Sequence, residues 1–92
     1  MSEIKISMPE NFAVDEAAEF RQNMNNLIAE GNKNFMLNFS GCTFIDSTGL
    51  GVLVGIYKKC NEINGSLILN SINSKVMKIF ELTRLDKVFE IK

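Results

Sequence analysis

The sequence contains no histidine and no tryptophan, and its 92 residues include only one proline and two cysteines. Histidine is the commonest metal ligand and the commonest general base, so its absence removes the simplest routes to a metal site or to acid–base catalysis. No phosphate-binding loop and no paired-carboxylate site stands in for it. We therefore expect a protein that is not an enzyme, with no catalytic residue, no bound metal and no cofactor.

An excess of charge and long apolar runs are also missing. The net charge is −1, with both signs mixed along the chain, which gives no indication of a nucleic acid or a membrane as partner. No apolar run approaches the roughly 20 residues that span a bilayer. The segment Met1–Met8 lacks the basic start and apolar run of a signal peptide, so we expect a cytoplasmic protein. Cys42 and Cys60 lie in apolar contexts typical of reduced, partly buried thiols, and a disulfide or a metal pair is the alternative.

Apolar periodicity predicts one small domain, residues 1–92, of alternating strands and helices. Alternation over Ile4–Met8 indicates a half-buried strand at or near a sheet edge, and Pro9–Asn11 is interpreted as a loop. The run Phe35–Phe39 predicts a strand buried on both faces. Two further strands are expected at Ser66–Asn70 and over Val88–Ile91.

Three helices are predicted between these strands. The first has Asp15 in its first turn and Gly31 as its C-terminal cap, the second runs from about Thr48 to about Glu62, and the third spans Ser74–Leu82. The order predicts an α/β fold with a small mixed, largely parallel sheet of four to five strands.

The chain is organised around the segment from Phe44 to Gly55, in which Asp46, Ser47 and Thr48 stand between a short apolar run and the second helix. Four interpretations of this segment compete. Gly49–Gly55 could be a dinucleotide loop, but the acidic residue expected after the next strand is absent. Ser47 could be a nucleophile, but no base accompanies it. It could merely cap the helix, or it could be a regulatory phosphorylation site at a helix N-terminus.

The second helix carries more apolar residues and glycines than one buried face requires. Glycines at 49, 51 and 55 each cost about 1 kcal/mol of helix stability relative to alanine. A close contact that only glycine permits must therefore offset this cost. Tight helix–sheet packing is one explanation, and a flat apolar patch that a partner covers is the other. We expect part of the patch formed by Leu50, Val52 and Val54 to be accessible.

The run from Phe44 to Leu53, with the pattern apolar-apolar-Asp-Ser-Thr-Gly-Leu-Gly-apolar-apolar, strongly resembles the phosphorylation segment of bacterial anti-sigma-factor antagonists, the STAS domain family. A looser similarity extends from about Ile4 to Phe89. The resemblance implies a small sheet with helices mainly on one face. It also implies a domain, expected to be monomeric when free, that binds an anti-sigma factor.

In that family the anti-sigma factor is a serine kinase with a histidine-kinase-like ATPase fold, and a serine phosphatase reverses its action. The resemblance makes Ser47 the phosphorylated residue, and only the unphosphorylated form is expected to bind. The residues carried over as partner-binding are Asp46, Thr48, Gly49, Leu50, Gly51 and Val54. The alternative is a STAS subunit of another regulatory or transport complex, such as a stressosome, a secretion or biofilm regulator or a lipid transporter, in which Ser47 only caps a helix.

One departure from the family pattern concerns the end of the first strand. Members commonly have Gly-x-Leu/Phe-Asp there, whereas this sequence has Glu10, Asn11, Phe12 and Ala13, so Ala13 replaces the aspartate. The loop contacts the kinase in the family.

Overall fold

The structure is a computed structural model and describes residues 3–92. Met1 and Ser2, which form part of the segment without signal-peptide features, lie outside that range. Within it the chain forms β1 (Ile4–Ser7), β2 (Asn11–Phe12), α1 (Val14–Ala29), β3 (Asn34–Asn38), β4 (Phe44–Ile45), α2 (Ser47–Glu62), β5 (Ser66–Asn70), α3 (Ser74–Leu82), a short 3-10 helix (Leu85–Lys87) and β6 (Glu90–Ile91).

The strands form two parallel arrangements. Strands β1, β3, β5 and β6 make one sheet in that spatial order, and β2 and β4 pair with each other. Every pairing recorded within residues 3–92 is parallel. Each connection in the larger sheet moves one strand in the same direction, so right-handed crossovers place all three helices on one face. The predicted α/β fold with a largely parallel sheet is confirmed, and β1 is an edge strand.

Strand β3 is buried on one face only, and the prediction that both of its faces are buried is wrong. Phe35, Leu37 and Phe39 are 0% exposed, whereas Met36 and Asn38 between them are half-buried. The same alternation recurs in β5. The physical reason is that the helices cover one face of the sheet and leave the other uncovered. A nearly continuous apolar sequence is therefore compatible with one-sided burial.

Two boundaries also differ from the prediction. Asn11, expected in a loop, forms β2 with Phe12 and pairs with Phe44 and Ile45. Its pairing partner lies more than 30 positions along the chain, so no local pattern marks the strand. The last strand is limited to Glu90–Ile91, because the chain before it coils into the 3-10 helix.

The core lies between the helices and the covered sheet face. Its fully buried side chains come from every layer: Phe12, Met24, Phe35, Leu37, Phe39, Cys42, Leu53, Cys60, Leu69, Val76 and Phe80. Cys42 and Cys60 are both free, and burial raises the pKa of each thiol, so both remain protonated at neutral pH. Across residues 3–92, no helix combines the length and the apolarity needed to cross a bilayer.

Candidate functional site

Helix α2 starts at the aspartate–serine pair, and the aspartate supplies the cap. Asp46 has an extended backbone (φ −114°, ψ −175°), and its carboxylate accepts a hydrogen bond from the Gly49 N–H at 3.0 Å. This is the standard N-cap arrangement, in which a side-chain oxygen satisfies a free backbone donor of the first turn. The alternative interpretation, in which Ser47 itself caps the helix, is therefore wrong.

Ser47 is the first residue of α2 and is exposed, as is Thr48 after it. No hydrogen bond is recorded for the Ser47 hydroxyl within the described chain, because Asp46 already performs the local capping. The hydroxyl is therefore free to react with an incoming molecule. The cap stabilises the backbone of the first turn, from which the Ser47 side chain projects.

Gly49 is buried because helix α2 crosses the β2 backbone at that point. A Cβ at Gly49 would lie 2.5 Å from the Phe12 carbonyl oxygen and 2.7 Å from the Phe12 ring. Leu50 beside it is only 8% exposed and belongs to the core, whereas Val52 and Val54 are half-buried, so those two valines form the accessible part of the predicted patch. Gly49 and Leu50 therefore pack the first turn of α2 against the core below the site.

Gly51 and Gly55 are exposed and have open space where a side chain would project. A Cβ at either position would meet no atom within 4 Å, so these glycines do not serve helix–sheet packing. Both line a groove of about 420 Å³ between α1 and α2. The groove is lined by Arg21, Asn25, Ser47, Thr48, Gly51, Val52, Gly55, Ile56 and Lys59. The three glycines thus divide between the two explanations, Gly49 for packing and the other two for an open surface.

The groove is positively charged and contains no carboxylate. Its cations are Arg21 from α1 and Lys59 from α2, and Lys59 Nζ donates a hydrogen bond to Asn25 Oδ1 at 2.8 Å. Ser47 lies in the same lining. An anionic group on the serine would therefore lie at one end of a groove whose walls carry two cations and no carboxylate, with Lys59 three turns, about 18 Å, further along α2.

Of the predicted partner-binding residues, Thr48 and Gly51 line the groove together with Ser47. Asp46 and Gly49 hold the first turn, and Val54 is half-buried outside the lining. Sequence reasoning missed Arg21 and Asn25, which come from another helix. Their spacing of four residues places them on one face of α1 and was the only local signal.

The site offers little catalytic chemistry. No histidine exists to serve as base, and the neighbouring Asp46 carboxylate is bonded to the Gly49 N–H. Within residues 3–92, no group of three or more histidine, cysteine, aspartate or glutamate residues could hold a metal ion. What the arrangement presents is an exposed hydroxyl at the end of a cationic groove.

Helix α1 lacks the cap that α2 has. Ala13 occupies its N-cap position with an extended backbone (φ −119°, ψ −152°) and makes no side-chain capping bond. An Ala13→Asn variant is therefore expected to raise the free energy of unfolding by about 1 kcal/mol, because the amide oxygen can accept from the first turn. Urea denaturation measures this. Ala13→Ser serves as a second capping variant, and unchanged stability in both would contradict the expectation.

A family model described as the STAS domain matches residues 4–92. An anti-sigma-B factor antagonist from Listeria monocytogenes is 34% identical over 56 residues, which cover 61% of this chain and 49% of the relative. The chain thus spans about half the length of that relative.

Two solved structures share the fold. A Thermotoga maritima protein assigned as an anti-sigma factor antagonist has a TM-score of 0.85 and 32% identity, covering 94% of this chain and 75% of that one. The phosphorylated form of the Bacillus cell-fate determinant SpoIIAA has a TM-score of 0.76 and 18% identity, covering 100% and 86%. The second likeness concerns the fold alone. With the family model matching nearly the whole chain, the protein belongs to the STAS domain family.

Proposed function

We propose that this protein is an anti-sigma-factor antagonist controlled by phosphorylation of Ser47. In its unphosphorylated form it binds an anti-sigma factor that is also a serine kinase with a histidine-kinase-like ATPase fold, and it acts in the cytoplasm without being an enzyme. The observation that carries the proposal is the exposed Ser47 hydroxyl, left unbonded by the Asp46 cap at the end of an open groove. The antagonist relatives described above support it.

The proposed contact surface begins at the serine and follows the groove. Thr48 and Gly51 are exposed there and would contact the partner directly. The absence of side chains at Gly51 and Gly55 would let partner atoms approach the helix backbone. Asp46 and Gly49 would keep the first turn in position, Leu50 would support it from the core, and Val54 would lie at the margin.

The covalent step belongs to the kinase. The γ-phosphoryl group of ATP would be transferred to Ser47 Oγ, the hydroxyl proton would be lost to a base on the kinase, and ADP would leave. A serine phosphatase would reverse the step by hydrolysis, returning the hydroxyl and releasing inorganic phosphate. The phosphate brings about −1.5 to −2 charges at pH 7 into a surface that the partner must desolvate, so the phosphorylated form would be released.

The test uses the purified chain, each ATPase-fold anti-sigma kinase of the source organism, and Mg·ATP. We expect at least one kinase to bind the protein and to add a single phosphoryl group to Ser47, as seen by intact mass and peptide mapping. Thr48→Ala is the matched control and should still be modified, whereas Ser47→Ala should bind without modification. Binding by none of these kinases, or modification at Thr48 instead, would contradict the proposal.

A further inference from the structure

Helices α1 and α2 lie side by side and run in the same direction. Each carries the chain back between parallel strands, α1 from β2 to β3 and α2 from β4 to β5. The hydrogen bond from Lys59 Nζ to Asn25 Oδ1 indicates how the two helices are aligned. Helical side chains lean toward the helix N-terminus, so Lys59 reaches back by about one turn, and Asn25 lies roughly level with Gly55.

This alignment places Arg21 close to Ser47. Arg21 precedes Asn25 by one turn and Gly51 precedes Gly55 by one turn, so Arg21 lies roughly level with Gly51. Ser47 lies one further turn, about 6 Å, toward the N-terminus of α2. The Arg21 side chain leans in that same direction and is long enough to cover the interval. Both residues line the groove, which agrees with this estimate.

The Arg21 guanidinium has no ionic partner in the described part of the chain, where Lys92–Glu90 is the one ion pair recorded. The charged groups at the Ser47 end of the groove are Arg21 from α1 and the Asp46 carboxylate, which is bonded to the Gly49 N–H, whereas Lys59 lies about 18 Å further along α2. Asp15 and Glu16 in the first turn of α1 lie outside the groove lining. The nearest carboxylate thus repels a phosphate on Ser47 while the groove wall attracts it.

We infer that Arg21 is the counter-charge of phosphorylated Ser47 and draws the phosphate into the groove between α1 and α2. The inference rests on the proposed function for its biological meaning. The planar guanidinium matches phosphate oxygens in a two-point contact. The groove is open above Gly51, where even a Cβ would meet no atom within 4 Å. Phosphorylation then closes the groove physically as well as adding charge, and Arg21 is no longer available to a partner.

The test installs phosphoserine at position 47 by genetic encoding, so that no kinase is needed. Phosphorus NMR follows the titration of the phosphate, whose second pKa is about 6 in an isolated phosphoserine. A nearby cation favours the dianion and lowers that pKa. We expect Arg21→Gln to raise the phosphate pKa by about 0.5–1 unit relative to the phosphorylated wild type, and Arg21→Lys to give a smaller rise.

Arg84→Gln removes the other arginine of the chain and is the matched control, with no expected effect on the phosphate pKa. Circular dichroism of each variant confirms that the fold is retained. Equal phosphate pKa values in Arg21→Gln and Arg84→Gln would overturn the inference. This outcome is separate from that of the proposed function, because the encoded phosphoserine tests Arg21 even if no kinase modifies the natural protein.

Discussion

A Ser47→Asp variant is expected to bind the proposed anti-sigma kinase at least about a hundredfold more weakly than the wild type, with its fold intact. The carboxylate would have to be desolvated in an interface centred on the groove, and burying an unpaired charge costs several kcal/mol. Each 1.4 kcal/mol is a factor of ten in affinity. The helix itself should tolerate the substitution, because negative charge in a first turn is favourable. Calorimetric titration against the kinase and far-UV circular dichroism with melting measure the two halves of this result.

Ser47→Asn is the matched control, since it has nearly the same shape as the aspartate variant without its charge. We expect it to lose much less affinity. Ser47→Ala should lose almost no stability, because the helix cap is the Asp46 carboxylate and not the serine hydroxyl. A charge mechanism would be wrong if Ser47→Asp bound as tightly as Ser47→Asn, or if Ser47→Asp unfolded.

The second large effect is expected at the glycines, where the same substitution should act in opposite directions. Gly49→Ala should lower the free energy of unfolding by about 1–3 kcal/mol, because its Cβ would press on the Phe12 backbone and ring. For a domain of this size that corresponds to a drop in melting temperature of about 4–8 °C for each kcal/mol. Thermal melting by circular dichroism measures it.

Gly51→Ala and Gly55→Ala are the matched controls within the same helix. Each should raise the free energy of unfolding by about 0.5–1 kcal/mol, because alanine favours the helix and its Cβ meets no atom within 4 Å. Their methyl groups would project into the groove, so partner affinity should fall while stability rises. A stabilised Gly49→Ala, or a destabilised Gly55→Ala, would contradict the assignment of these glycines to packing and to an open surface.

The fold was largely predictable because its signals are local. Alternation, apolar stripes and capping residues marked the helices and the three longer strands, and helix α3 matches the predicted Ser74–Leu82. Strand β2 was not predicted because a strand of two residues shows no periodicity. Only its pairing with β4 makes Asn11 and Phe12 a strand. One-sided burial of β3 likewise depends on which face the helices cover, which the sequence of one strand does not encode.

The site was predictable in its first turn and not in its surroundings. The Asp46–Ser47–Thr48 run marks a helix start by itself, but three adjacent residues that can all cap leave the capping residue undecided. The structure assigns it to Asp46 through the bond to the Gly49 N–H. The groove depends on how α1 aligns with α2, which is a property of the tertiary structure. The sequence around Arg21 therefore contains no signal that links this residue to Ser47.

The all-parallel topology has a consequence for how the protein reaches its folded state. Every strand pairing recorded from Glu3 onward joins residues more than 20 positions apart, as Phe12 joins Ile45 and Leu69 joins Ile91, so this part of the chain has no hairpin that could form early and locally. Such chains close long loops before their contacts stabilise them, and they fold more slowly than helical bundles of similar size. A nascent or unfolded chain therefore offers the serine without its groove. An enzyme that recognises the groove acts only on molecules that have completed folding.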